Sequence, residues 1–460
     1  MTSRNALAIT LFFVFSTFAL AANPIPLIYQ PLTPASVAPG HAAFTLTVRG
    51  TNFVSGAVIK ANGRALVTKF VNSTKLQTHV SASDVAKAGT ASITVANPGS
   101  IDSNVIYFTV RQPSTSVTLT ADPATIEGGY LAVADFTNDH KPDIAVASFN
   151  VDIYQNVGKG NFNEIAGPPF DQNISQPPVM VADFNSDGNL DVAPCGADGG
   201  PDPSTCDIYY NDGKGNLTFG GYKQWVYPGV MADMNGDGIL DSIATWGDGY
   251  QTYMSIYLGN GDGTFTFAST AVTSVYGVPV VGDFNGDGKL DVATSVEGNQ
   301  EPGPGTVAVF LGNGDGTVQT EVDYTTPWGG EYAAVGDVNR DGKLDIIGSG
   351  FTVLLGNGDG TFTVSSSLGV RSWTTPIQLA DINGDGKLDL VSPASDLQGN
   401  QYVDFLLGNG DGTFQAPIMF PVPSTNFRTF GVADFNGDGL LDVAINGTYQ
   451  GSVLLQSASH

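Results

Sequence analysis

Seven copies of one acidic nine-residue segment constrain the fold of this chain more than any other feature of its sequence. The copies begin at Asp135, Asp183, Asp233, Asp283, Asp337, Asp381 and Asp434, and the most regular form reads DFNGDGKLD. Successive copies start 48, 50, 50, 54, 44 and 53 residues apart. This period is too long for a one-strand solenoid coil and fits the four-stranded blade of a β-propeller. We call the seven segments the Asp loops and number their positions 1 to 9.

The residues around each Asp loop alternate as strands do. In the fourth copy VPVVGDF enters the loop, LDVATS leaves it and TVAVFLG returns, which predicts strands a, b and c of one blade. An Asn-Gly-Asp-Gly sequence follows at Asn260, Asn313, Asn357 and Asn409. We interpret it as a plain hairpin turn that leads into strand d. The repeat region is therefore expected to be all-β.

The two ends of the repeat region complement each other. The last copy ends in GSVLLQSASH without a fourth strand, whereas SVTLTAD at residues 116–122 is a predicted strand without a blade. Pairing of these segments would complete the last blade and hide two open sheet edges. We therefore predict a seven-bladed β-propeller over residues 116–460, closed by strand 116–122. The alternative is a linear array with a free edge.

The Asp loops have the spacing of a calcium site. In D-x-N-x-D-G-x-x-D, side-chain oxygens stand at positions 1, 3, 5 and 9, and the carbonyl of position 7 can turn inward; hard oxygens in a short loop are typical calcium ligands. Three neighbouring carboxylates repel one another unless a cation lies between them. The alternative is an Asx-rich turn without metal. The predicted ligands are Asp183, Asn185, Asp187, Asn189, Asp191, Asp233, Asn235, Asp237, Ile239, Asp241, Asp283, Asn285, Asp287, Lys289, Asp291, Asp337, Asn339, Asp341, Lys343, Asp345, Asp381, Asn383, Asp385, Lys387, Asp389, Asp434, Asn436, Asp438, Leu440 and Asp442.

The first Asp loop departs from this pattern. Thr137 replaces the asparagine of position 3, His140 replaces the glycine of position 6, and Pro142 stiffens the exit. We therefore predict a weaker site formed by Asp135, Asp139 and Asp143. The expected cofactor is Ca²⁺, at about six or seven sites.

The Asp loops and their flanking strands resemble FG-GAP/VCBS repeats, which form the blades of the integrin α-chain head and of many secreted bacterial proteins. The resemblance covers residue 116 to the end of the sequence. It implies a seven-bladed propeller with calcium in the a–b loops. It does not imply integrin function, because the sequence has no inserted metal-dependent adhesion domain and no transmembrane segment after the repeats.

A separate β domain is predicted before the repeats. Residues 24–111 contain short β runs such as FTLTVRG and TASITVANPG, with turns at the intervals of a small sandwich. The segment from Leu32 to Gly63 resembles the immunoglobulin-like IPT/TIG family, with a Pro-Gly pair and a Gly-x-x-Phe sequence from Gly50 to Phe53. A short linker, RQPST, follows at residues 111–115. This domain is expected to act as a spacer.

The N-terminus and the cysteines indicate export. Residues 1–21 combine Arg4, an apolar run and Ala-Leu-Ala, which is typical of a signal peptide, whereas a membrane anchor, the alternative, needs a longer apolar run. We expect a secreted, extracellular or cell-surface protein, or one of the periplasm. Cys195 and Cys206 would then form a local disulfide. The formal charge of −26 argues against nucleic acid and anionic membranes as partners.

Aromatic residues indicate where a ligand would bind. They precede the Asp loops in the d–a connections or lie in a b–c loop, on the side opposite to the Asp loops, and are Trp225, Trp246, Tyr276, Trp328, Trp373 and Phe427. Flat rings suit stacking on sugars or anchoring a protein contact. The alternative is that they fill gaps between blades.

These features predict a monomeric, secreted, calcium-binding adhesion or ligand-binding protein whose partner is an extracellular glycan or protein. One alternative is a polysaccharide-active enzyme, similar to lyases built on propellers. The sequence offers no Ser/His/Asp order and no carboxylate pair outside the Asp loops that stands out as catalytic. A scaffold module of a larger surface assembly is the third possibility.

Overall fold

The computed structural model of the chain is all-β. It describes residues 24–29, 31–100, 102–114, 116–170, 179–196, 205–222, 229–247, 251–273, 277–296, 304–327, 329–348, 350–367, 376–395, 399–422, 427–447 and 450–457. These residues form 37 strands in nine sheets and contain no helix. Within them, accordingly, there is no helical segment that could cross a membrane.

Residues 24–111 form two sheets that pack face to face, and we call this unit the sandwich. One sheet contains, in hydrogen-bonded order, β1 (Leu27–Ile28), β3 (Phe44–Thr51), β7 (Lys75–Val80) and β6 (Thr68–Asn72). The other contains β2 (Ser36–Val37), β9 (Ile106–Val110), β8 (Gly89–Ala96), β4 (Val58–Ala61) and β5 (Arg64–Ala65). Both sheets contribute to one core, in which Val48, Leu76 and Val95 are fully buried.

The rest of the chain forms seven four-stranded antiparallel sheets. Sheet 1 contains β11 (Tyr130–Ala134), β12 (Asp143–Ala147), β13 (Val151–Gly158) and β14 (Asn161–Ile165). Sheet 2 contains β15 (Val179–Ala182), β16 (Asp191–Gly196), β17 (Thr205–Asn211) and β18 (Leu217–Tyr222). Sheet 3 contains β19 (Gly229–Ala232), β20 (Asp241–Gly247), β21 (Thr252–Gly259) and β22 (Phe265–Thr273). Sheets 4 and 5 contain β23 (Val280–Gly282), β24 (Asp291–Val296), β25 (Gly305–Phe310) and β26 (Val322–Thr326); and β27 (Ala333–Gly336), β28 (Asp345–Gly348), β29 (Thr352–Gly356) and β30 (Phe362–Ser367). Sheets 6 and 7 contain β31 (Gln378–Ala380), β32 (Asp389–Ser395), β33 (Gln401–Leu406) and β34 (Ile418–Pro421); and β35 (Phe427–Ala433), β36 (Asp442–Gly447), β37 (Gln450–Gln456) and β10 (Leu119–Glu127).

The inner strands of these sheets are apolar on both faces because each sheet lies between two others. Strand β12 reads DIAVA and is buried at every residue. A strand covered on both sides has a continuous apolar run rather than an alternating one. The outer strands are more exposed, and Phe267 in β22 has 56% of its surface in contact with solvent.

Neighbouring sheets share hydrophobic cores along the whole repeat region. Ile256 of sheet 3 packs in one cluster with Val292 of sheet 4, and Leu354 of sheet 5 packs with Val309 of sheet 4. The last sheet also packs against the first, because Val453 of β37 shares a cluster with Val146 of β12. The apolar contacts therefore continue from the last sheet back to the first.

The strand that pairs with the end of the chain is longer than the sequence predicted. Strand β10 spans Leu119–Glu127 rather than residues 116–122, and its pairing with β37 runs from Leu119 opposite Gln456 to Glu127 opposite Gln450. The predicted strand ended at Asp122, directly before Pro123. Proline is tolerated in β10 because this strand lies at the outer edge of its sheet, and the ladder is irregular between Ala121 and Thr125.

Candidate functional site

Each Asp loop connects the first and second strands of one sheet, and its backbone reverses twice. In the Asp233 loop, Gly236 and Gly238 at positions 4 and 6 have φ values of 76° and 90°. Glycine adopts such left-handed conformations without a steric penalty. The first Asp loop makes the same reversal with asparagine and histidine, since Asn138 and His140 have φ values of 55° and 65°.

The first aspartate of each loop accepts hydrogen bonds from its own loop. In the Asp233 loop, Oδ1 of Asp233 accepts from the amide of Gly236 at 2.7 Å and Oδ2 accepts from the amide of Gly238 at 2.9 Å. The Asp381 and Asp434 loops repeat both bonds. The carboxylate at position 1 thus holds the double turn in shape.

The ninth aspartate joins the loop to two strands. Asp241 opens β20, and its Oδ2 accepts from the amide of Met234 at 2.8 Å while its Oδ1 accepts from the amide of Gly259, at the end of β21, at 3.0 Å. The same pair of bonds occurs at Asp143, Asp191, Asp291, Asp345, Asp389 and Asp442. All seven carboxylates are fully buried. The sequence predicted these residues as metal ligands and missed this bond to the third strand.

Positions 3 and 5 lie in the turn of the loop, where position 3 is half-buried in every loop except that of Asp381, whose Asn383 is buried. In the Asp233 loop, Oδ1 of Asn235 accepts from the amide of Asp237 at 2.8 Å, and Oδ1 of Asp237 accepts from the amide of Ile239 at 2.8 Å. At position 7, Lys387 makes an ion pair with Asp385 at 2.8 Å. The predicted side-chain ligands of each loop therefore lie in one short turn.

The buried carboxylates have raised pKa values. Burial raises the pKa of Asp241 and Asp291 to about 7 and that of Asp191 and Asp442 to about 8, and the other carboxylates of the same loop add to the effect. Burial also raises the pKa of Asp183, at position 1, to about 6. In the part of the chain that the structure describes, no three carboxylate, imidazole or thiolate groups converge closely enough to hold a metal ion without rearrangement.

The first Asp loop keeps its shape despite its altered sequence. Thr137, at position 3, donates its hydroxyl to Oδ2 of Asp143 at 3.0 Å, and Oδ2 of Asp135 accepts from the amide of His140 at 2.8 Å. Lys141 forms an ion pair with Asp139 at 2.8 Å. All three acids of this loop therefore interact with other residues of the same loop.

The sandwich lies on the Asp loops rather than apart from them as a spacer. It donates hydrogen bonds to the backbone carbonyl of position 6 in four loops: Tyr107 to His140 at 2.9 Å, Asn52 to Gly238 at 3.0 Å, Arg49 to Gly342 at 2.6 Å, and Ser73 to Gly288. In three loops it donates to the first aspartate instead or as well: Thr74 to Asp283 at 2.8 Å, Thr90 to Asp434 at 2.9 Å, and Ser36 to Asp381. Hydrogen bonds from the sandwich thus reach six of the seven Asp loops.

One loop is not bonded in this way. The Asp183 loop makes no hydrogen bond to the described residues of the sandwich, and a cleft of about 730 Å³ lies between them. The cleft is lined by Pro24 and Asn104 from the sandwich and by Asp183, Asp187 and Asn189 from the loop.

Of the six aromatic candidates, Trp246 has a described side chain. It lies near the end of β20 that is distant from Asp241, stacks on Tyr253 with ring centroids 4.6 Å apart, and donates its indole N–H to Ser255 at 2.9 Å. Trp225, Tyr276, Trp328 and Trp373 lie outside the described residues, and so does the side chain of Phe427. The structure therefore places Trp246 away from the Asp loops. The predicted ring of aromatic residues stays a prediction, because its other members lie outside the described side chains.

The predicted disulfide between Cys195 and Cys206 is confirmed. The two cysteines face each other on β16 and β17 and are buried. The Asn-Gly-Asp-Gly segments are hairpin turns, as in the bond from the amide of Asn313 to the carbonyl of Thr317 at 2.9 Å.

Three buried acids of the third strands were not predicted from the sequence. Asp152, Asp207 and Asp404 stand at one equivalent position of β13, β17 and β33, four residues before the residue that bonds the ninth aspartate. Burial raises the pKa of Asp207 and Asp404 to about 6. Oδ1 of Asp404 has no hydrogen-bond partner. Single acids inside apolar strands were the available signal.

Comparison with known proteins identifies the repeats. The FG-GAP-like repeat matches residues 135–193, 233–294, 283–348, 348–392 and 395–445, which is more than half of the chain. No curated protein sequence is significantly similar to it.

Among solved structures, an auxiliary nutrient binding protein from Bacteroides ovatus is 11% identical, with a TM-score of 0.37 over 94% of this chain and 98% of the other. A second auxiliary nutrient binding protein, from Bacteroides thetaiotaomicron, is 10% identical, with a TM-score of 0.34 over 95% and 99% of the two chains. The biofilm matrix protein Bap1 from V. cholerae is 10% identical, with a TM-score of 0.30 over 95% and 88%. All three proteins are distant from this chain in sequence.

Proposed function

Because the chain belongs to the FG-GAP-like repeat family, we propose that it is a secreted calcium-binding protein that holds an extracellular ligand on a β-propeller. The proposed parts are a signal peptide at residues 1–21, an immunoglobulin-like domain of IPT/TIG type at residues 24–111, and a seven-bladed propeller at residues 116–460. Seven sheets of four strands, with the last packed against the first, support the propeller. The pairing of β10 with β37 supports closure of the ring by strand exchange.

The donor set of the Asp loops fits calcium. Each regular loop offers carboxylates at positions 1, 5 and 9 and an amide oxygen at position 3, with no nitrogen or sulfur ligand. The observation that carries the proposal is the burial of the ninth carboxylate in all seven loops and of the first carboxylate in five of them, because a buried carboxylate is costly to ionise without a cation beside it. Calcium supplies positive charge that favours the ionised form of such carboxylates.

Binding requires a modest rearrangement within the loop. The residues that would hold the ion are those at positions 1, 3, 5 and 9 together with the carbonyl of position 7. Each carboxylate oxygen has a second lone pair, so the bonds that Asp233 accepts from Gly236 and Gly238 can persist while it binds a metal ion. In the Asp233 loop, Asp237 at position 5 is exposed and Asn235 at position 3 is half-buried, so both side chains have room to turn toward the ion.

Calorimetric titration of calcium into metal-free protein tests this proposal. We expect about six or seven bound ions, and a thermal midpoint that falls when EGTA is added, since each site at tenfold excess over its Kd contributes about 1.4 kcal/mol. The variant Asp237→Ala, with Asp262→Ala in an Asn-Gly-Asp-Gly turn as its control, should lose one ion. Protein that binds no calcium and melts alike with and without EGTA would refute it.

We place the ligand on the face opposite to the Asp loops. The sandwich occupies the Asp loops through polar contacts to six of them. Trp246 and Tyr253 lie at the far end of their hairpin, half-buried and stacked, where a flat ring can meet a sugar or an apolar protein side chain.

A glycan array and a screen of extracellular proteins, each probed with wild type and Trp246→Ala, test this surface. We expect a wild-type ligand whose binding is reduced at least tenfold in Trp246→Ala. The control is Phe267→Ala on the outer strand β22, an exposed aromatic residue far from the hairpin end. A ligand that binds both variants equally would place the site elsewhere.

A further inference from the structure

Two arginines of the sandwich reach into the Asp loops. Arg49 from β3 donates Nη2 to the carbonyl of Gly342 at 2.6 Å, and Arg111, which follows β9, donates Nη2 to the carbonyl of Ile382 at 2.6 Å. Their exposed fractions are 9% and 6%. Both side chains are therefore enclosed between the sandwich and the loops.

Neither guanidinium uses all of its donors. Nε of Arg49 and both Nε and Nη1 of Arg111 are buried without a hydrogen-bond partner. Burial lowers the pKa of each group, and the carboxylates of Asp337, near Arg49, and of Asp381, near Arg111, oppose that effect. Each cation is therefore held by one short hydrogen bond to a loop carbonyl, and attraction to the loop carboxylates offsets part of the cost of burying its charge.

The charge of the two parts of the chain favours the same contact. Residues 24–111 hold seven Lys and Arg and two Asp, a net charge of +5, whereas residues 112–460 hold ten Lys and Arg and 42 Asp and Glu, a net charge of −32. A basic domain therefore rests on the most acidic loops of the molecule. Such complementarity fixes which surfaces meet.

The Asp381 loop is shaped to admit Arg111. Gly384, at position 4, has a φ of 73°, and a Cβ atom there would lie 1.9 Å from Nε of Arg111. Gly286, at the same position of the Asp283 loop, has a φ of 77° and nothing within 4 Å of a Cβ atom. Both glycines have the left-handed backbone conformation that favours glycine, but of the two only Gly384 also makes room for a neighbouring side chain.

We propose that Arg49 and Arg111 act as built-in cations of the Asp337 and Asp381 loops, fastening the sandwich there without calcium and weakening calcium binding at these two loops. The second part rests on the calcium binding proposed above. The first part does not, because the contacts need no added ion.

Trypsin reports whether the sandwich is fastened. The bond after Arg111 is protected while this side chain is enclosed, so cleavage in EGTA follows the released state. We expect Arg49→Met to be cut there about tenfold faster than wild type, since a charged hydrogen bond is worth about 1.5 to 3 kcal/mol. The control Arg64→Met removes an exposed arginine of β5 that pairs with Asp84 at 3.2 Å, and it should behave as wild type. Equal rates in the two variants would overturn the proposal.

A pair of glycine variants tests the same point with both arginines present. Gly384→Ala should displace Arg111 and speed cleavage after it by about tenfold. Gly286→Ala carries the same left-handed strain without the collision and should be cut at close to the wild-type rate. This pair also covers the case in which Arg49→Met unfolds the sandwich. If Gly384→Ala is cut no faster than Gly286→Ala, Arg111 is not a fastener.

Calcium titration of the full chain tests the competition. Removing a positive charge from beside one site should tighten that site by about tenfold in Arg49→Met, with no change in Arg64→Met. Unchanged affinities in both variants would overturn the competition. If wild type and both variants all fail to bind calcium, the calcium proposal and the competition are both refuted, while the proteolysis in EGTA still decides whether the arginines fasten the sandwich.

Discussion

At the scale of single residues, the ninth aspartate of each Asp loop is a structural anchor whatever else it binds. Asp241 is fully buried and accepts from two backbone amides, those of Met234 and Gly259, which belong to different parts of its sheet. Asp237, at position 5, is exposed and bonds only within its loop. The two acids therefore answer differently to mutation.

Replacing each of them by asparagine separates the anchor from the ligand. Asp241→Asn turns an N–H₂ group toward a backbone donor, so we expect a loss of about 2 kcal/mol in the free energy of unfolding even in EGTA. Asp237→Asn should destabilise the protein in calcium and have little effect in EGTA. Urea unfolding in both buffers measures this. If both variants need calcium to show their effect, the anchoring role is wrong.

Asp404 should make stability depend on pH. Its carboxyl is buried in β33, and the pKa is raised to about 6 from a reference value of 3.8. The folded state keeps the proton longer than the unfolded state, so wild type loses stability as the pH rises from about 4 to about 6, by up to about 3 kcal/mol. Asp404→Asn does not titrate. The unfolding free energy of the variant minus that of wild type should therefore grow between pH 4 and pH 7.5; a constant difference would contradict it.

The roles of some residues could be predicted from their spacing along the sequence, whereas those of others could not. The oxygen pattern of the Asp loops and the link between Cys195 and Cys206 depend on neighbours in sequence, so the sequence was sufficient to propose them. The bond from Asp241 to the amide of Gly259 needs the position of a strand that the motif does not contain. Asp404 is a single acid inside an apolar strand, which is a signal that the sequence does contain, but its burial also depends on packing between sheets and cannot be read from the strand alone.

At the scale of elements, the disulfide fastens one hairpin of sheet 2. Cys195 and Cys206 stand opposite each other on β16 and β17 and enclose a short loop. We expect the double variant Cys195→Ala/Cys206→Ala to lose about 2 to 3 kcal/mol of unfolding free energy, as loop closure predicts for this length. Dithiothreitol should destabilise wild type by a similar amount and leave the double variant unchanged. A reductant effect on the double variant would point to another cause.

The closing strand shows why an element boundary is harder to predict than the element. Alternation of polar and apolar residues identified a strand before the first Asp loop, and the need for a fourth strand in sheet 7 gave it a partner. The predicted strand ended at Asp122, directly before Pro123. At the outer edge of sheet 7 proline costs no inner hydrogen bond, so β10 continues to Glu127.

At the scale of the whole molecule, the net charge of −26 should make salt stabilising. In EGTA the acids of the Asp loops repel one another, and added NaCl screens that repulsion because the Debye length falls below about 10 Å above 0.1 M. We expect the thermal midpoint to rise more steeply with NaCl in EGTA than in calcium. Choline chloride should act as NaCl does. Equal slopes in EGTA and calcium would show that the loops do not dominate the repulsion.

The position of the sandwich could not be predicted from the sequence. Arg49 meets Gly342 across 293 residues, and Arg111 meets Ile382 across 271 residues. The sequence identified a separate β domain and a short linker, which together suggested a spacer. The net charge of residues 24–111 was the signal available, because a domain of charge +5 joined to a strongly acidic one has a reason to lie against it.

The contact between sandwich and Asp loops has a geometric consequence. The seven Asp loops are nearly equivalent, and each has a backbone carbonyl at position 6. The sandwich that packs on them has no sevenfold repeat, so the loops contact different side chains of the sandwich. Because the symmetry of the loops and that of the sandwich do not match, the contact is incomplete, and the cleft of about 730 Å³ lies beside the Asp183 loop. Among the described residues, the Asp183 loop makes no hydrogen bond to the sandwich, so we expect substitutions in it to leave the contact between the sandwich and the other loops intact.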